Sequence, residues 1–575
     1  MLNHKWIINE LTEEQKKCKE ELVKQLNISP IICTLLVQRG IYTYEEAKKF
    51  FRPQLSQIHD PFLLNDMDKA VERLNLAMGK KEKILIYGDY DVDGTTAVAL
   101  VYKFLQQFYS SIDFYIPDRY EEGYGVSYKG IDYAAENGFS LIIVLDCGIK
   151  AIKKVKYAKD RQIDIIICDH HTPDEQLPEA VAVLDPKRLD STYPYGHLSG
   201  CGVGFKLMQA FAINNHIPFE RLTQHLDLLA VSIASDIVPI TGENRVLMTF
   251  GLKQLNSNPS MGLQAILDIC GLQGKEVTVS DIVFKIGPRI NASGRMYSGR
   301  EAVELLTSKD RDFAKEKSNC IDQYNQERKD LDKKTTVDAQ DFINGDEHFE
   351  NRNSIVVYNP EWSKGVIGIV ASRLSEQYYR PSVVLTLSNG FATGSARSVS
   401  GFDIYKAIDS CRDLLENFGG HIYAAGLTMK EENVSEFSRR FDEYVTSNMN
   451  EDQKIPQIEV DSIVHFSEIT PKFFSILQKF APFGPENMKP VFVTENVKDY
   501  GTSRLVGRDL DHFKLDLTED ESPNVIMNGI AFGKGKEFND HIKAKKSFNV
   551  CYTIEENNFA GKEAIQLLIK DIKTD

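Results

Sequence analysis

Between residues 81 and 240 the chain alternates short apolar runs with helical stretches, and the apolar runs carry almost no internal polar alternation. The runs are KILIYG, IDFYIP, LIIVLDCG, IDIIIC and VAVLDPK; between them lie AVALVYKFLQQF, YKGIDYAAENG and AIKKVKYAKDR. A strand wetted on one face has a period of two. Strands this uniformly rich in Ile, Leu and Val are covered on both faces, as in a parallel, doubly wound sheet with helices on either side. The pattern therefore predicts an α/β fold here, and it says where to look for chemistry: ligands of such sheets gather beyond the carboxyl ends of the strands.

Acids stand at those ends. Asp89, Asp91 and Asp93 follow the first run, Asp146 ends LIIVLD, Asp169 with His170 and His171 ends IDIIIC, and Asp185 ends VAVLD. Read as an extended segment, Asp89, Asp91 and Asp93 point to one side. Carboxylates crowded together repel unless cations sit among them, so the expectation is a hard-metal site. The same D-x-D-x-D-G pattern opens a calcium EF-hand, but the twelfth loop position there is Glu and here is Leu100, and a strand precedes the loop where a helix should. Adjacent side chains point apart, so one of His170 and His171 would ligate while the other faces the substrate. Asp236 closes the helical run LDLLAVSIASD and reads either as a further ligand or as a solvated helix end. There is no Walker lysine loop and no G-x-G-x-x-G after the first strand, which argues against nucleoside triphosphate hydrolysis and against a nicotinamide cofactor.

The rest of the chain is organised around this domain. Residues 1–80 look helical and read as an N-terminal cap on it. Residues 282–300 (IVFKIGPRINASGRMYSGR) hold Lys285, Arg289, Arg295 and Arg300 with no acid among them, and read as a phosphate-contacting loop or an exposed basic turn. Residues 301–344 lack Gly and Pro and predict a long bridging helix. A smaller α/β unit follows at 346–450, with small residues around Ser395 and Arg397 that suit an oxyanion grip, and with Gly419-Gly420-His421. From 451 to 575 the short strands predict a small β-barrel of the oligonucleotide-binding type.

At 575 residues the chain needs several cores. Its net charge of −15 gives no global pull toward nucleic acid, although binding depends on local potential. The nine cysteines include no C-x-x-C pair, and no run of about 18 apolar residues or signal-peptide core is present, so a reduced, cytoplasmic protein with no membrane contact is expected.

The order Gly88-Asp-Tyr-Asp-Val-Asp-Gly94, Leu145-Asp-Cys-Gly148, Asp169-His-His171, Asp236, Gly394-Ser-Ala-Arg-Ser398 and Gly419-Gly-His421 resembles the DHH/DHHA1 phosphoesterases. Gly287–Arg295 and Ala481–Asn487 narrow the resemblance to the bacterial RecJ family of single-strand-specific 5′→3′ DNA exonucleases. The resemblance implies a DHH catalytic domain at 81–300, a connecting helix at 301–345, a DHHA1 domain at 346–450 and an oligonucleotide-binding domain at 451–575. It implies that Asp91, Asp93, Asp146, His170 and Asp236 hold two divalent cations, Mn2+ or Mg2+, with Asp89 supporting that set and His171 facing the scissile phosphate. Arg119, Ser395 and Arg397 would grip a 5′ phosphate, and Arg289, Arg295, Gly420 and His421 would join in binding substrate. The implied substrate is single-stranded DNA with a 5′ end, cut to mononucleotides by a monomeric enzyme working in DNA repair and recombination beside a helicase and a single-strand-binding protein. Tyr87 stands where some relatives have a histidine, leaving a supporting role behind the acids open.

Overall fold

The computed structural model describes residues 4–535, 538–539, 542, 546–559 and 562–573. The chain forms two units, one of Gln54–Lys454 and one of Met1–Pro53 together with Ile455–Asp575.

The larger unit contains a five-stranded parallel sheet made of β1 (Lys83–Gly88), β2 (Ile112–Tyr115), β3 (Phe139–Leu145), β4 (Asp164–Cys168) and β5 (Ala182–Leu184), in the order β2-β1-β3-β4-β5. Alternate residues of each strand enter different cores: Ile84, Ile86, Ile143 and Leu145 pack on one face, and Leu85, Tyr87, Ile142 and Val144 on the other. Burial on both faces is why the strands show no polar period. The strand order reverses between β1 and β3, so the acids that follow these two strands flank the switch point, where such sheets open a crevice.

Helices α1 (Val92–Leu105), α2 (Gly200–Asn214) and α3 (Leu226–Ser235) cover the first of these faces. Helix α1 begins earlier than the sequence suggests. Asp91 is its N-cap and Asp93 lies in its first turn, so Asp89, Asp91 and Asp93 converge through a strand-to-helix turn and not along an extended segment.

Residues 282–300 are also helical and not a loop. A π-helical turn at Ile282–Ile286 runs into α4 (Gly287–Met296), with Pro288 in the first turn where its missing N–H costs nothing. The small residues of this stretch serve close packing. A Cβ on Gly294 would lie 2.4 Å from the Tyr90 carbonyl oxygen.

The long helix is α5 (Arg311–Asn344), 34 residues capped by Asp310, after a separate short helix at Gly299–Thr307. It leads to a second sheet of β6 (Ile355–Tyr358), β7 (Ser382–Ser388), β8 (Phe391–Arg397), β9 (Leu415–Gly420) and β10 (Ala424–Met429), ordered β9-β10-β8-β7-β6. Helix α6 (Ile367–Tyr378) packs on β7 and β8.

In the smaller unit, β11 (Phe492–Asp499) pairs with both β14 (Phe548–Phe559) and β12 (His512–Glu519). Strand β13 (Ser522–Ala531) joins β12 to β15 (Lys562–Lys573), and β15 returns to β14, closing a five-stranded barrel. Residues 1–80, read from sequence as one cap on the parallel-sheet domain, are divided here. The helices of residues 13–51 share the barrel's core through Leu22, Ile32 and Leu36, and Lys5–Ile8 pairs in parallel with Gln457–Val460. The helix Met67–Gly79 instead packs on the parallel-sheet core through Ala70, Val71 and Leu74. The segment Phe480–Asn487 packs inward. Asn487 donates to the carbonyls of Phe480 and Pro482 and accepts from Arg39 Nε at 2.9 Å.

One buried ion pair ties the larger unit's helices together. Lys206 Nζ lies 2.9 Å from Glu243 Oε1, both side chains fully buried, and Glu243 also accepts from Tyr193 Oη at 2.6 Å and from the His59 backbone N–H at 3.1 Å. Removing one partner strands the other charge, at a cost of about 3–5 kcal/mol. Lys206→Met is therefore expected to lower the midpoint of urea unfolding of this unit sharply, and Lys206→Met with Glu243→Gln to recover part of the loss.

Candidate metal centre and phosphate pocket

The centre is assembled at the ends of β1, β3 and β4 and at the C-terminus of α3. Asp89, Asp93 and Asp146 are buried, Asp91 and Asp236 part-exposed. Asp93 is the most tightly held. Its Oδ2 accepts from the Gly200 N–H at 2.6 Å, and its Oδ1 from the Cys201 N–H at 2.9 Å and Ser232 Oγ at 2.6 Å. The first turn of α2 thus presents its unsatisfied N–H groups to a carboxylate, a favourable use of a helix N-terminus. Asp146 sits in a left-handed conformation (φ 60°) with its N–H bonded to the Cys168 carbonyl, and Ile237, next to Asp236, is also left-handed. Such backbone is costly for residues other than glycine and persists where the surroundings demand it.

Burial and mutual repulsion disfavour ionisation in this cluster. The Asp89, Asp146 and Asp236 carboxyls are pushed well above the ordinary carboxylate range, first by burial and then by neighbouring aspartates, and Asp91 is raised for the same reasons. His170 Nε2 stands 3.2 Å from Asp146 Oδ1, 3.6 Å from Asp236 Oδ2 and 3.7 Å from Asp93 Oδ2, yet neither of its ring nitrogens makes a hydrogen bond; burial pushes its pKa down to about 4. Buried atoms left without partners, among them Asp89 Oδ2 and Asp236 Oδ2, need an explanation. Among the described residues two donor sets answer to one: Asp93, His170 and Asp236, and Asp146, His170 and His171, each with its ligand atoms within 4.8 Å of one another. Carboxylate oxygens with neutral imidazole suit Mn2+ or Mg2+, so the residues fit the expected ions. Asp89 and Asp91 lie beside these sets without belonging to either, whereas His171, expected only to face substrate, falls within one.

Asp169 has a different task. It accepts from the N–H groups of Ile149 (2.8 Å), His170 (2.7 Å) and His171 (3.1 Å), and its Oδ1 lies 2.7 Å from His171 Nδ1. Burial would raise this carboxyl, but His171 and the other donors outweigh it and hold it at about 2. Burial likewise opposes charge on His171, and the Asp169 carboxylate overrides it, raising the imidazole above its ordinary value. His171 Nε2 meets Tyr124 Oη at 3.1 Å. Behind the acids, Tyr87 donates to the Gly125 carbonyl and accepts from the Ser127 N–H, a supporting position. Sequence reasoning missed Gly200, Ser232, Tyr124 and Asn291, whose Oδ1 accepts from the Val92 N–H at 3.2 Å. Only their spatial neighbours reveal them.

Cations gather next to the acids. The Arg119 guanidinium stacks 4.6 Å from the Tyr90 ring. Arg295 donates to the Gly365 carbonyl at 3.0 Å, and its pKa is pushed down to about 10 by burial and then by Arg119 and Arg328. Arg397 donates to Ser395 Oγ at 2.9 Å, and a Cβ on Gly368, in the first turn of α6, would lie 3.2 Å from Arg397 Nη2. Arg289 is not among them; its Nε pairs with Asp322 at 2.8 Å. Gly420 makes the tight hairpin between β9 and β10, where a Cβ would lie 2.3 Å from the Ala424 carbonyl oxygen. Exposed His421, at the hairpin tip, is lowered by partial burial and then by the field of His171.

Family models match along most of the chain: the DHH family, N-terminal domain, at residues 83–233, the DHHA1 domain at 351–447 and the RecJ OB domain at 460–571. A Bacillus subtilis protein named single-stranded-DNA-specific exonuclease RecJ is 37% identical over 97% of this chain and 70% of its own. The chain belongs to the RecJ family. Another RecJ-named relative, from Haemophilus influenzae, is 31% identical over 95% of this chain and 96% of its own. Among solved structures, RecJ from Thermus thermophilus in complex with Mn2+ has the same fold, with a TM-score of 0.84, 24% identity, and coverage of 99% of this chain and 80% of that one.

Two outcomes test this RecJ-family centre. A Cβ on Gly200 would lie 2.6 Å from Asp146 Oδ1. Gly200→Ala is expected to weaken Mn2+ binding by about 10–100-fold, as changes behind metal ligands do, read by calorimetric titration. Because the Asp169 carboxylate favours the charged imidazole, Asp169→Asn should move the His171 titration midpoint down, measured by NMR on the metal-free protein.

Proposed function

We propose that this protein is a metal-dependent exonuclease that hydrolyses single-stranded DNA from its 5′ end, releasing mononucleotides. The observation that carries the reading is the adjacency of a buried carboxylate–imidazole cluster and a cation pocket with small-residue walls, in a chain of the RecJ family.

Asp91, Asp93, Asp146, His170 and Asp236 would hold two divalent cations, with Asp89 behind them and His171 completing one donor set or turning to substrate. Bound there, Mn2+ or Mg2+ would lower the pKa of the attacking water and offset charge at the scissile phosphate and leaving oxygen. His171, held toward its charged form by Asp169, donates from Nε2 to a phosphate oxygen in the second of these roles. Arg119, Arg295, Ser395 and Arg397 bind the terminal 5′ phosphate. His421 and Gly420 border the path of the strand. Fixing the terminal phosphate while the acids address the next phosphodiester sets both polarity and product size. No side chain needs to form a covalent bond to substrate.

The closed barrel supplies a further surface for bases and backbone of a single strand. A strand-restricted nuclease requires opened duplex, which supports a helicase and a single-strand-binding protein as partners. We place the enzyme, as a monomer, in the cytoplasm, in DNA repair and recombination. Among the described residues no helix is long and apolar enough to cross a membrane.

Digestion of 3′-labelled single-stranded DNA with Mn2+ tests the reading. Wild type should give a ladder shortening from the 5′ side and little cleavage of blunt duplex, and Asp146→Ala should lose at least about 10²-fold in rate. Hydrolysis of dinucleotides alone would move the chain to small substrates, and activity surviving in Asp146→Ala would displace the metal centre.

A further inference from the structure

The hairpin that joins β9 to β10 ends in two large apolar residues that the fold does not use. Along β10 the residues alternate as an amphipathic strand should: Ala425 and Leu427 are buried in the core of the second sheet, and Gly426 between them is exposed. At the tip the alternation stops. Ile422 and Tyr423 are consecutive, yet they are 50% and 60% exposed. Isolated exposed apolar side chains are ordinary, whereas adjacent ones that form a patch call for a partner.

The tip is not a loose loop. The His421 N–H bonds to the Ala424 carbonyl at 2.8 Å, the Ser398 N–H to the Tyr423 carbonyl at 3.0 Å, and the Ile404 N–H to the Ile422 carbonyl at 3.0 Å. Tyr423 and Ile422 are thus pinned through their backbone to different segments, one just past the end of β8 and the other at the start of the helix Ile404–Asp409. A ring presented from a fixed backbone has little freedom left to lose on binding.

The surroundings identify the ligand. Ala424 lies opposite Arg397 and Gly426 opposite Ser395, and on its other side Gly426 lies opposite Gly419. Residues opposite one another on antiparallel strands share a face of the sheet. That face is bare: Gly419 and Gly426 are exposed, and a Cβ would meet nothing within 4 Å at Gly419 and only the Gly394 carbonyl oxygen, at 3.9 Å, at Gly426. An uncovered strip of backbone therefore runs beside the hairpin tip and carries a hydroxyl and a guanidinium, with Arg397 donating to Ser395 Oγ at 2.9 Å. Anion donors next to an exposed aromatic ring match a nucleotide, which joins a phosphate to a flat base.

We infer that Tyr423 is a substrate-binding residue on which the base of one nucleotide near the 5′ end stacks, with Ile422 extending the apolar surface. The inference rests on the 5′-end reading proposed above and deepens it. Phosphate contacts fix where the end of the strand lies, and the ring holds a base of its first few nucleotides in place. Every base has a π-face, so this contact grips the strand without selecting its sequence.

The test measures single-turnover release of the first mononucleotide, below saturation, from 5′-phosphorylated single-stranded DNA that is intact or abasic at one of its first four nucleotides. Wild type, Tyr423→Ala and Tyr423→Phe are compared. Wild type should slow about tenfold when the abasic site falls at the stacked position, the order of one lost base–aromatic stack. Tyr423→Ala should lose about as much on the intact strand and nothing further from the abasic site at that position. Tyr423→Phe, which keeps the ring, should behave as wild type. An unchanged rate for Tyr423→Ala on the intact strand, or the same abasic sensitivity in Tyr423→Ala as in wild type, overturns the role of Tyr423, as does a wild type indifferent to all four abasic sites. If wild type releases nothing from the 5′ end of the intact strand, the 5′-end reading itself fails.

Discussion

Buried aspartates that repel one another are the constraint on which the larger unit depends. Asp89, Asp91, Asp93, Asp146 and Asp236 come together around neutral His170, with His171 beside them, and burial and mutual repulsion disfavour the charged carboxylates. The fold supplies what keeps them in place. The N-terminus of α2 clamps Asp93 with two backbone donors, Ser232 adds a third, and left-handed backbone at Asp146 and Ile237 holds strained turns in position. The sheet's switch point provides the crevice. Ions that fit this cluster would relieve the repulsion and stabilise the folded state in doing so, since anything that binds only the native form does.

Opposite charge is kept close but separate. Arg119 influences Asp89 and Asp91, and Asp91 influences Arg295, yet no acid of the cluster forms an ion pair with these arginines among the described residues. Direct pairing would satisfy both groups and leave neither available to a ligand. The loop 118–127 is one means of spacing them. Glu122 accepts from the Asp118 N–H and from Tyr115 and Ser127, and the loop so fixed carries Arg119 toward one group and Tyr124 toward the other.

Much of this was legible in the sequence because it follows from local pattern. The parallel sheet announces itself through unalternated Ile, Leu and Val, and strand-end acids mark its crevice. What was not legible depends on chain reversal in space. Nothing around Gly200 marks it as a clamp on Asp93, 107 residues away. The basic stretch at 282–300 looked like a loop because its Gly, Asn and Ser are common in turns, whereas here small residues let α4 approach Tyr90 closely. Arg289 looked equivalent to Arg295, but Asp322 on α5 neutralises it. The segment before residue 54 looked helical but carried no sign of which core it served.

That last point governs how the protein is made. One unit is built from both ends of the chain, with Lys5–Ile8 paired to Gln457–Val460. Residues 1–53 are synthesised before their partners, which appear only after some four hundred further residues; at about 5–20 residues per second that interval is roughly 20–80 s. Throughout it the apolar faces of the first helices are exposed while the intervening unit can already fold. Translation thus imposes an inside-out order on this molecule: the catalytic body can be complete while the segment made before it still waits for the segment made after it.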